Sequence, residues 1–158
     1  MDELCRRQFL ATLLVPAAAG LGAVAVLAQA PRAAIPAADR MQPAQLVQRL
    51  RGSGAKPLIL QVGFATLYQE AHIPGAVYAG PAGQPAGLQA LRKSVQAVAK
   101  NHPIVIYCGC CPWVRCPNIR AAYQALTGLG FTRVKALYIA DNFGAEWVKP
   151  GYPVTPAR

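Results

Sequence analysis

The sequence predicts an α/β fold: an open parallel sheet of about four to five strands with helices on both faces. Two continuous apolar runs, at 58–62 and 103–107, have the length of strands that are covered on both faces. The longer segments that follow them repeat their apolar residues at helical spacing. Strands that alternate with helices in this way are typical of parallel sheets with crossover connections.

Each predicted element follows from its local pattern. Pro43 is well placed to open the first helix. Asn118 is suited to cap the helix that follows the third strand, and Gly130 is suited to end it. In chain order we expect a helix over 44–51, a strand over 58–62, a short helical or irregular piece over 65–70, a turn over 72–75, a strand over 76–78, an amphipathic helix over 88–100, a strand over 103–107, a helix over 118–129, a strand over 133–138 and a short helix over 141–148.

The first 30 residues are expected to be an export signal peptide. Arg6 and Arg7 precede an uncharged apolar stretch that continues to Pro31, which is the arrangement of a secretory signal. The arginine pair followed by Gln-Phe-Leu resembles the twin-arginine signal. The protein is therefore expected to be periplasmic or exported, and to contact a membrane only if the signal stays uncleaved. Residues 31–42, rich in Pro and Ala, are predicted to be a linker to a single domain over 43–158.

Composition limits the classes of partner. The chain has 16 Lys and Arg against 6 Asp and Glu, and its formal net charge is +10. A basic surface favours anions, acidic proteins or membrane headgroups. The Lys and Arg residues are scattered, and no recognition-helix or RNA-binding signature accompanies them, so we expect no nucleic-acid partner. No resident cofactor and no obligatory metal are expected.

The chemistry is expected in a cysteine-rich loop at 108–116, which reads Cys-Gly-Cys-Cys-Pro-Trp-Val-Arg-Cys. The loop joins the carboxyl end of a predicted strand to a helix, where open α/β sheets place their ligand sites. The unpaired N–H groups of the helix and the Arg115 guanidinium would favour a thiolate, the reactive form of cysteine. A thiolate in this position could accept a sulfane sulfur and hold it as a persulfide.

Four segments resemble the rhodanese family and occur in the family's order. They are Ala-His-Ile-Pro-Gly-Ala-Val-Tyr at 71–78, Ile-Val-Ile-Tyr-Cys at 104–108, Ala-Ala-Tyr-Gln-Ala-Leu-Thr-Gly-Leu-Gly-Phe at 121–131, and Asn-Phe-Gly-Ala-Glu-Trp-Val-Lys-Pro-Gly-Tyr-Pro at 142–153. The resemblance implies a rhodanese fold over 43–158 and sulfurtransferase activity. Gln61 and Gly63 stand where the family commonly has Asp and Arg, so we expect this loop to be supported differently.

The resemblance leaves two candidate nucleophiles, Cys108 and Cys110. Strand position selects Cys108, whereas the family's six-residue spacing to a basic residue, here Arg115, selects Cys110. We favour Cys108, because the end of a strand holds a side chain most rigidly. Arg115 and the loop amides would hold the negative charge. The other residues expected in this anion-binding loop are Gly109, Cys111, Trp113 and Asn118.

Other roles for the cysteines remain open. In an oxidising compartment Cys110 or Cys111 could pair with Cys116 and brace the loop, leaving Cys108 free. The loop could instead exchange thiols and disulfides, or bind a soft metal such as Cu(I) without turnover. Zinc is less expected, because cysteines this crowded do not easily surround one ion tetrahedrally. The expected partners are a small sulfur-containing anion, a thiol acceptor, and a partner protein that could contact Trp113.

Overall fold

The computed structural model describes residues 34–156 of the chain. The predicted export signal and the first residues of the predicted linker lie outside this range. None of the helices between residues 34 and 156 has the length and apolar composition that crossing a bilayer requires.

The strands of the described residues are β1 (Arg40–Met41), β2 (Leu58–Gln61), β3 (Ala71–His72), β4 (Val77–Tyr78), β5 (Ile104–Tyr107), β6 (Val134–Leu137) and β7 (Thr155–Pro156). Five of them form a parallel central sheet in the order β1-β6-β5-β2-β4, and β3 and β7 form an antiparallel pair. All four residues of the central strand β5 are buried, as its continuous apolar run predicts. The predicted α/β class with a parallel sheet is confirmed.

Helices cover both faces of the sheet, as predicted. Leu91 and Leu126 pack with Ile106 on one face, and Leu46 and Trp147 belong to the cluster on the other face. The α-helices are α1 (Pro43–Arg51), α2 (Ala65–Glu70), α3 (Pro85–Ser94) and α4 (Pro117–Gly128). The structure also has 3-10 turns at Ala37–Asp39 and Trp113–Arg115 and a π-helical turn at Gly144–Val148.

The helix predicted over 88–100 differs from α3 at both ends. Pro85 opens α3, as proline favours the first helical position, and the helix ends at Ser94. Val95 continues the apolar spacing and is buried in the same cluster, although the chain there has turned out of the helix. The apolar residues keep helical spacing after Ser94, so the sequence pattern predicted a helix longer than the one that forms.

The segment predicted as a linker also differs from the structure. Residues 34–42 include β1, which pairs in parallel with β6, and Ile35, which is buried in the core. Asp39 accepts a hydrogen bond from the Tyr123 hydroxyl at 2.6 Å and pairs with Lys135 at 2.8 Å. A strand of two residues is too short to show a period of its own, so the sequence pattern could not reveal it.

Candidate active site

The cysteine-rich loop joins β5 to α4 at the carboxyl edge of the central sheet, as predicted. Cys108 directly follows β5, and its side chain is only 3% exposed. It packs against the end of the neighbouring strand, where a Cβ atom at Gly63 would lie 2.9 Å from the Cys108 sulfur. Glycine at 63 is therefore what allows the two chain segments to approach this closely.

Gln61 supports the turn after β2 from inside the protein. Its side chain is 1% exposed, and its Oε1 atom accepts a hydrogen bond from the Gly63 N–H at 3.2 Å. A neutral amide therefore occupies this position beside the Cys108 sulfur. The expected difference in loop support thus takes the form of an uncharged hydrogen bond within the β2 turn.

The loop is anchored to the segment that precedes the π-helical turn. Gly109 has a φ of +73°, and its carbonyl accepts a hydrogen bond from the Phe143 N–H at 3.1 Å. A Cβ atom at Gly109 would lie 2.6 Å from that of Phe143, so contact and conformation both require glycine. The Trp113 N–H donates to the Ala140 carbonyl at 3.1 Å and fixes the other side of the loop.

The loop brings its sulfurs into one cluster. The Cys108 thiol donates a hydrogen bond to the Cys110 sulfur at 3.0 Å, and the sulfurs of Cys110 and Cys111 are 3.3 Å apart. The sulfurs of Cys108, Cys110 and Cys116 all lie within 4.8 Å of one another. The four cysteines of the loop are free thiols in this structure, and the bracing disulfide stays a prediction.

Asn118 has a different place from the one predicted. The N-cap of α4 is Cys116, because Pro117 takes the first helical position and Asn118 the second. The buried Asn118 side chain accepts a hydrogen bond from the Gly83 N–H at 2.8 Å. Its Nδ2 atom is 3.5 Å from the Cys108 sulfur and 3.6 Å from the Cys110 sulfur. The predicted cap is wrong, but the residue does belong to the thiol cluster.

The electrostatics of Cys108 differ from the prediction of a readily ionised thiol. The hydrogen bond to Cys110 raises the pKa of Cys108 to about 12, and burial adds to this effect, whereas the contact with Cys116 and the Cys110 N–H oppose it. The pKa of Cys116 is also raised to about 12, chiefly by its contact with Cys108. Burial raises the pKa of Cys111. These thiols donate to one another, which favours their protonated forms.

Arg115 and Trp113, both predicted in the anion-binding loop, differ in their surroundings. Arg115 is exposed at the end of the turn Trp113–Arg115, and its charge lowers the pKa of Cys111, opposing the larger effect of burial. Trp113 is half-buried and stacks in a tilted arrangement on Tyr138, with ring centroids 5.1 Å apart. Trp113 lines a small cavity together with Cys108, Cys111 and Cys116.

A larger cleft, of about 300 Å³, opens beside Cys108, Gly109 and Cys110. Cys108 and Cys110 both line this cleft, and Cys110, which is half-buried, is the more exposed residue of the pair. Among the described lining residues, the one charged side chain belongs to Glu70. The lining residues are Gln61, Leu67, Glu70, Ala71, Tyr107, Cys108, Gly109, Cys110, Asn142, Phe143, Gly144 and Val148.

Sequence reasoning missed most of the opposite wall of the cleft. That wall comes from α2, β3 and the π-helical turn, which are distant from the loop in sequence. Gly109 was a signal for this docking, because glycine directly after a strand-end cysteine often marks close approach of another backbone. The sequence gives no comparable signal for the partner segment.

The comparisons with known proteins agree with this architecture. The family model described as rhodanese-like domain matches residues 42–139. The crystal structure of the Alr3790 protein from Anabaena sp. is similar at a TM-score of 0.58 and 20% identity, over 74% of this chain and 92% of that chain. The BH2092 protein from Bacillus halodurans is similar at a TM-score of 0.58 and 23% identity, over 74% of this chain and 76% of that chain. Among curated proteins, none shows significant similarity to this chain.

Proposed function

The chain belongs to the family of rhodanese-like domains, and from this premise we propose that it is a sulfurtransferase that carries sulfane sulfur as a persulfide on Cys110. One observation carries the proposal. Cys110 lines the cleft, and its sulfur lies within reach of two donors, the Cys108 thiol at 3.0 Å and the Asn118 amide at 3.6 Å. Donors aimed at a sulfur stabilise the negative charge that nucleophilic attack requires.

The choice of Cys110 over Cys108 rests on exposure and on the direction of the hydrogen bond. Cys108 is 3% exposed and donates its proton toward Cys110, so the negative charge is better held by Cys110. The raised pKa of Cys108 points the same way, because a thiol that stays protonated in the reduced loop is a poor nucleophile toward an external donor. The spacing from Cys110 to Arg115 also fits the six-residue loop of the family. Cys108, at the end of the strand, then acts as a hydrogen-bond donor to the reacting sulfur of Cys110.

The reaction has two displacement steps. In the first, the Cys110 thiolate attacks the outer sulfur of the donor, a new S–S bond forms, and the donor's bond to that sulfur breaks. The remainder of the donor leaves with the electron pair, as sulfite from thiosulfate or as a sulfinate from a thiosulfonate. In the second step an acceptor thiolate attacks the outer sulfur of the persulfide, and the Cys110 thiolate is the leaving group. In the reduced loop the Asn118 amide lies within reach of the Cys110 sulfur, where it can stabilise the thiolate that attacks in the first step and leaves in the second.

The cleft lining favours a class of donor. Leu67, Phe143 and Val148 give it an apolar wall, and Glu70 is the charged side chain among the described lining residues. An apolar wall beside a carboxylate disfavours a small dianion and favours a sulfur donor with an apolar group and at most one negative charge. Aryl thiosulfonates and alkyl persulfides have this chemistry.

The test uses the reduced chain with benzenethiosulfonate and no added acceptor. We expect release of benzenesulfinate by the wild type, and on the Cys108→Ser variant a bound sulfur of about 32 Da, located on Cys110 by peptide mapping. Cys110→Ser should release at least about 100-fold less sulfinate, because the nucleophile is gone. Cys111→Ser is the matched control, since Cys111 does not line the cleft, and it should stay within about threefold of the wild type. Full sulfinate release by Cys110→Ser would refute the assignment.

A second candidate function is Cu(I) binding, and one observation favours it. Three sulfurs within 4.8 Å of one another are enough to surround one soft cation, and thiolates select Cu(I). Titration of the reduced chain with Cu(I) against a competing chelator tests it. Stoichiometric binding that survives in Cys111→Ser and is lost in Cys116→Ser would favour this function. Cys116 does not line the cleft, so its loss should affect sulfur uptake much less than the loss of Cys110 does.

The proposal places this chemistry outside the cytoplasm. The support is the pair Arg6 and Arg7 before an uncharged apolar stretch. Cell fractionation tests it: the wild-type chain should appear in the periplasmic or exported fraction, and the double substitution of both arginines by lysine should retain it in the cytoplasm. Export of the double variant at the wild-type level would contradict a twin-arginine route.

A further inference from the structure

The contact between Cys108 and Cys110 has a geometry that suits more than hydrogen bonding. Their sulfurs are 3.0 Å apart, so a movement of about 1 Å would bring them to the length of a disulfide bond. Both residues line the same cleft, and Gly109 between them has a φ of +73°, which turns the chain so that both sulfurs meet. A persulfide on Cys110 would therefore form with a second thiol already beside its inner sulfur.

We propose that Cys108 resolves the Cys110 persulfide, so that the loop releases hydrosulfide and closes a Cys108–Cys110 disulfide. The inference rests on the proposed sulfur transfer to Cys110. The Cys108 sulfur attacks the inner sulfur of the persulfide, a bond forms between the two cysteine sulfurs, and the bond to the outer sulfur breaks. The outer sulfur leaves with the electron pair and takes up the proton of the Cys108 thiol. It is reduced to sulfide, while the two cysteine thiols are oxidised to the disulfide.

The covalent geometry selects Cys108 among the neighbours of Cys110. Cys111 is adjacent in sequence, and consecutive Cα atoms lie about 3.8 Å apart, below the 4.4–6.8 Å that disulfides usually span. Cys116 is 2% exposed, does not line the cleft, and caps the first turn of α4. Cys108 is separated from Cys110 by Gly109 alone, and its thiol already donates a hydrogen bond to the Cys110 sulfur.

The proposed step defines a second activity and a further substrate class. Each turnover leaves the loop oxidised, so an external dithiol must reduce the disulfide before the next sulfur is accepted. The complete cycle therefore consumes a sulfane-sulfur donor and a dithiol, and produces hydrosulfide and an oxidised dithiol. A simple sulfurtransferase would instead pass the sulfur to its acceptor and leave the loop thiols reduced.

A single-turnover experiment on the reduced full chain separates the two proposals. The chain is mixed with benzenethiosulfonate in the absence of added thiols, and sulfinate, hydrosulfide and free thiols are measured. For the wild type we expect equal amounts of sulfinate and hydrosulfide and the loss of two thiols. For Cys108→Ser, which keeps a hydroxyl donor beside Cys110, and for Cys108→Ala, which lacks one and should release sulfinate more slowly, we expect a persulfide that stays on Cys110. In both variants the ratio of hydrosulfide to sulfinate should fall at least about tenfold below that of the wild type.

The outcomes are distinguishable. Sulfinate without hydrosulfide from the wild type overturns the resolving step and leaves the proposed sulfur transfer intact, whereas absence of sulfinate overturns both. Trypsin cleavage after Arg115 separates Cys116 from the other three loop cysteines. We expect the disulfide within the single peptide 101–115, with Cys111 still open to alkylation. A disulfide to the peptide that contains Cys116, or one that includes Cys111, contradicts the assignment. This mapping uses the wild type, so it stands even if the Cys108 variants fail to fold.

Discussion

The Cys108 thiol donates a hydrogen bond to the Cys110 sulfur over 3.0 Å, directly beyond the carboxyl end of β5. One of these thiols is enclosed by the core, and the other is half-buried at the cleft. The loop thereby combines a protected proton donor with an accessible sulfur. This relationship underlies both the sulfur transfer and the release of hydrosulfide that we propose, and it makes the surroundings of Cys110 testable residue by residue.

Asn118 is expected to control the reactivity of Cys110. Asn118→Asp keeps an oxygen for the Gly83 N–H but replaces the amide donor near the sulfurs with a carboxylate. We expect it to slow alkylation of Cys110 by iodoacetamide about tenfold at neutral pH, because a hydrogen bond to the thiolate is lost and a negative charge is added. Peptide mapping identifies the alkylated residue. An unchanged alkylation rate in a folded variant would show that Asn118 does not control the reactivity of Cys110.

Gly109 is expected to be essential for docking the loop. Gly109→Ala would place its Cβ atom 2.6 Å from that of Phe143 and force alanine to a φ of +73°. We expect a loss of about 1–3 kcal/mol in the free energy of unfolding, together with weaker sulfinate release. Gly128→Ala in α4 is the matched control, because nothing lies within 4 Å of its Cβ position. It should be neutral or stabilise the fold. Equal effects of the two substitutions in chemical denaturation would argue against the docking.

The raised pKa values of Cys108 and Cys116 predict a loss of stability in alkaline solution. Both are raised from 9.0 to about 12, so the thiols ionise in the unfolded chain before they ionise in the folded one. Their contribution to stability is complete below about pH 9 and is lost as pH rises toward 12. We expect roughly 1 kcal/mol of lost stability per thiol between pH 9 and 10.

Chemical denaturation of the wild type and of Cys108→Ala at about pH 8, 9 and 10 measures this effect. The variant should lose less stability over that range, because it lacks one of the two thiols. A variant whose stability falls as steeply as that of the wild type would show that other groups dominate the alkaline transition.

The cleft predicts a preference among sulfur donors. We expect benzenethiosulfonate to exceed thiosulfate in kcat/KM by at least about tenfold, because an apolar wall and Glu70 disfavour a dianion. Glu70→Gln should raise the value for thiosulfate by about two- to threefold at low salt, since an exposed charge acts weakly through solvent. Glu146→Gln, outside the cleft lining, is the control. A wild type that prefers thiosulfate would contradict this view of the cleft.

The position of the site was predictable from sequence because it depends on strand order and direction. The apolar runs of β2 and β5 identified two adjacent parallel strands, and the cysteine-rich loop follows the carboxyl end of β5. Spacing along the chain could not determine which sulfur faces the cleft. Cys108 and Cys110 differ in exposure because α2, β3 and the π-helical turn pack around them, and these contacts are all distant in sequence.

Single residues account for the other differences. With Cys116 as the N-cap and Pro117 at the first helical position, Asn118 lies two positions further into α4 than predicted, and its amide lies near the sulfurs. The 3-10 turn at Trp113–Arg115 leaves Arg115 exposed, and its charge lowers the pKa of Cys111. A six-residue spacing predicts that a cation follows the cysteine, but the path of the backbone decides where that cation lies.

The central claim is that Cys110 accepts the sulfur, and a crystal structure of the Cys108→Ser chain treated with benzenethiosulfonate tests it most directly. In this variant the resolving thiol is absent, so the persulfide should persist. The account predicts an additional sulfur atom bonded to Cys110, in the cleft and close to the Asn118 amide. An unmodified Cys110, or an additional sulfur on Cys111 or Cys116, would contradict it.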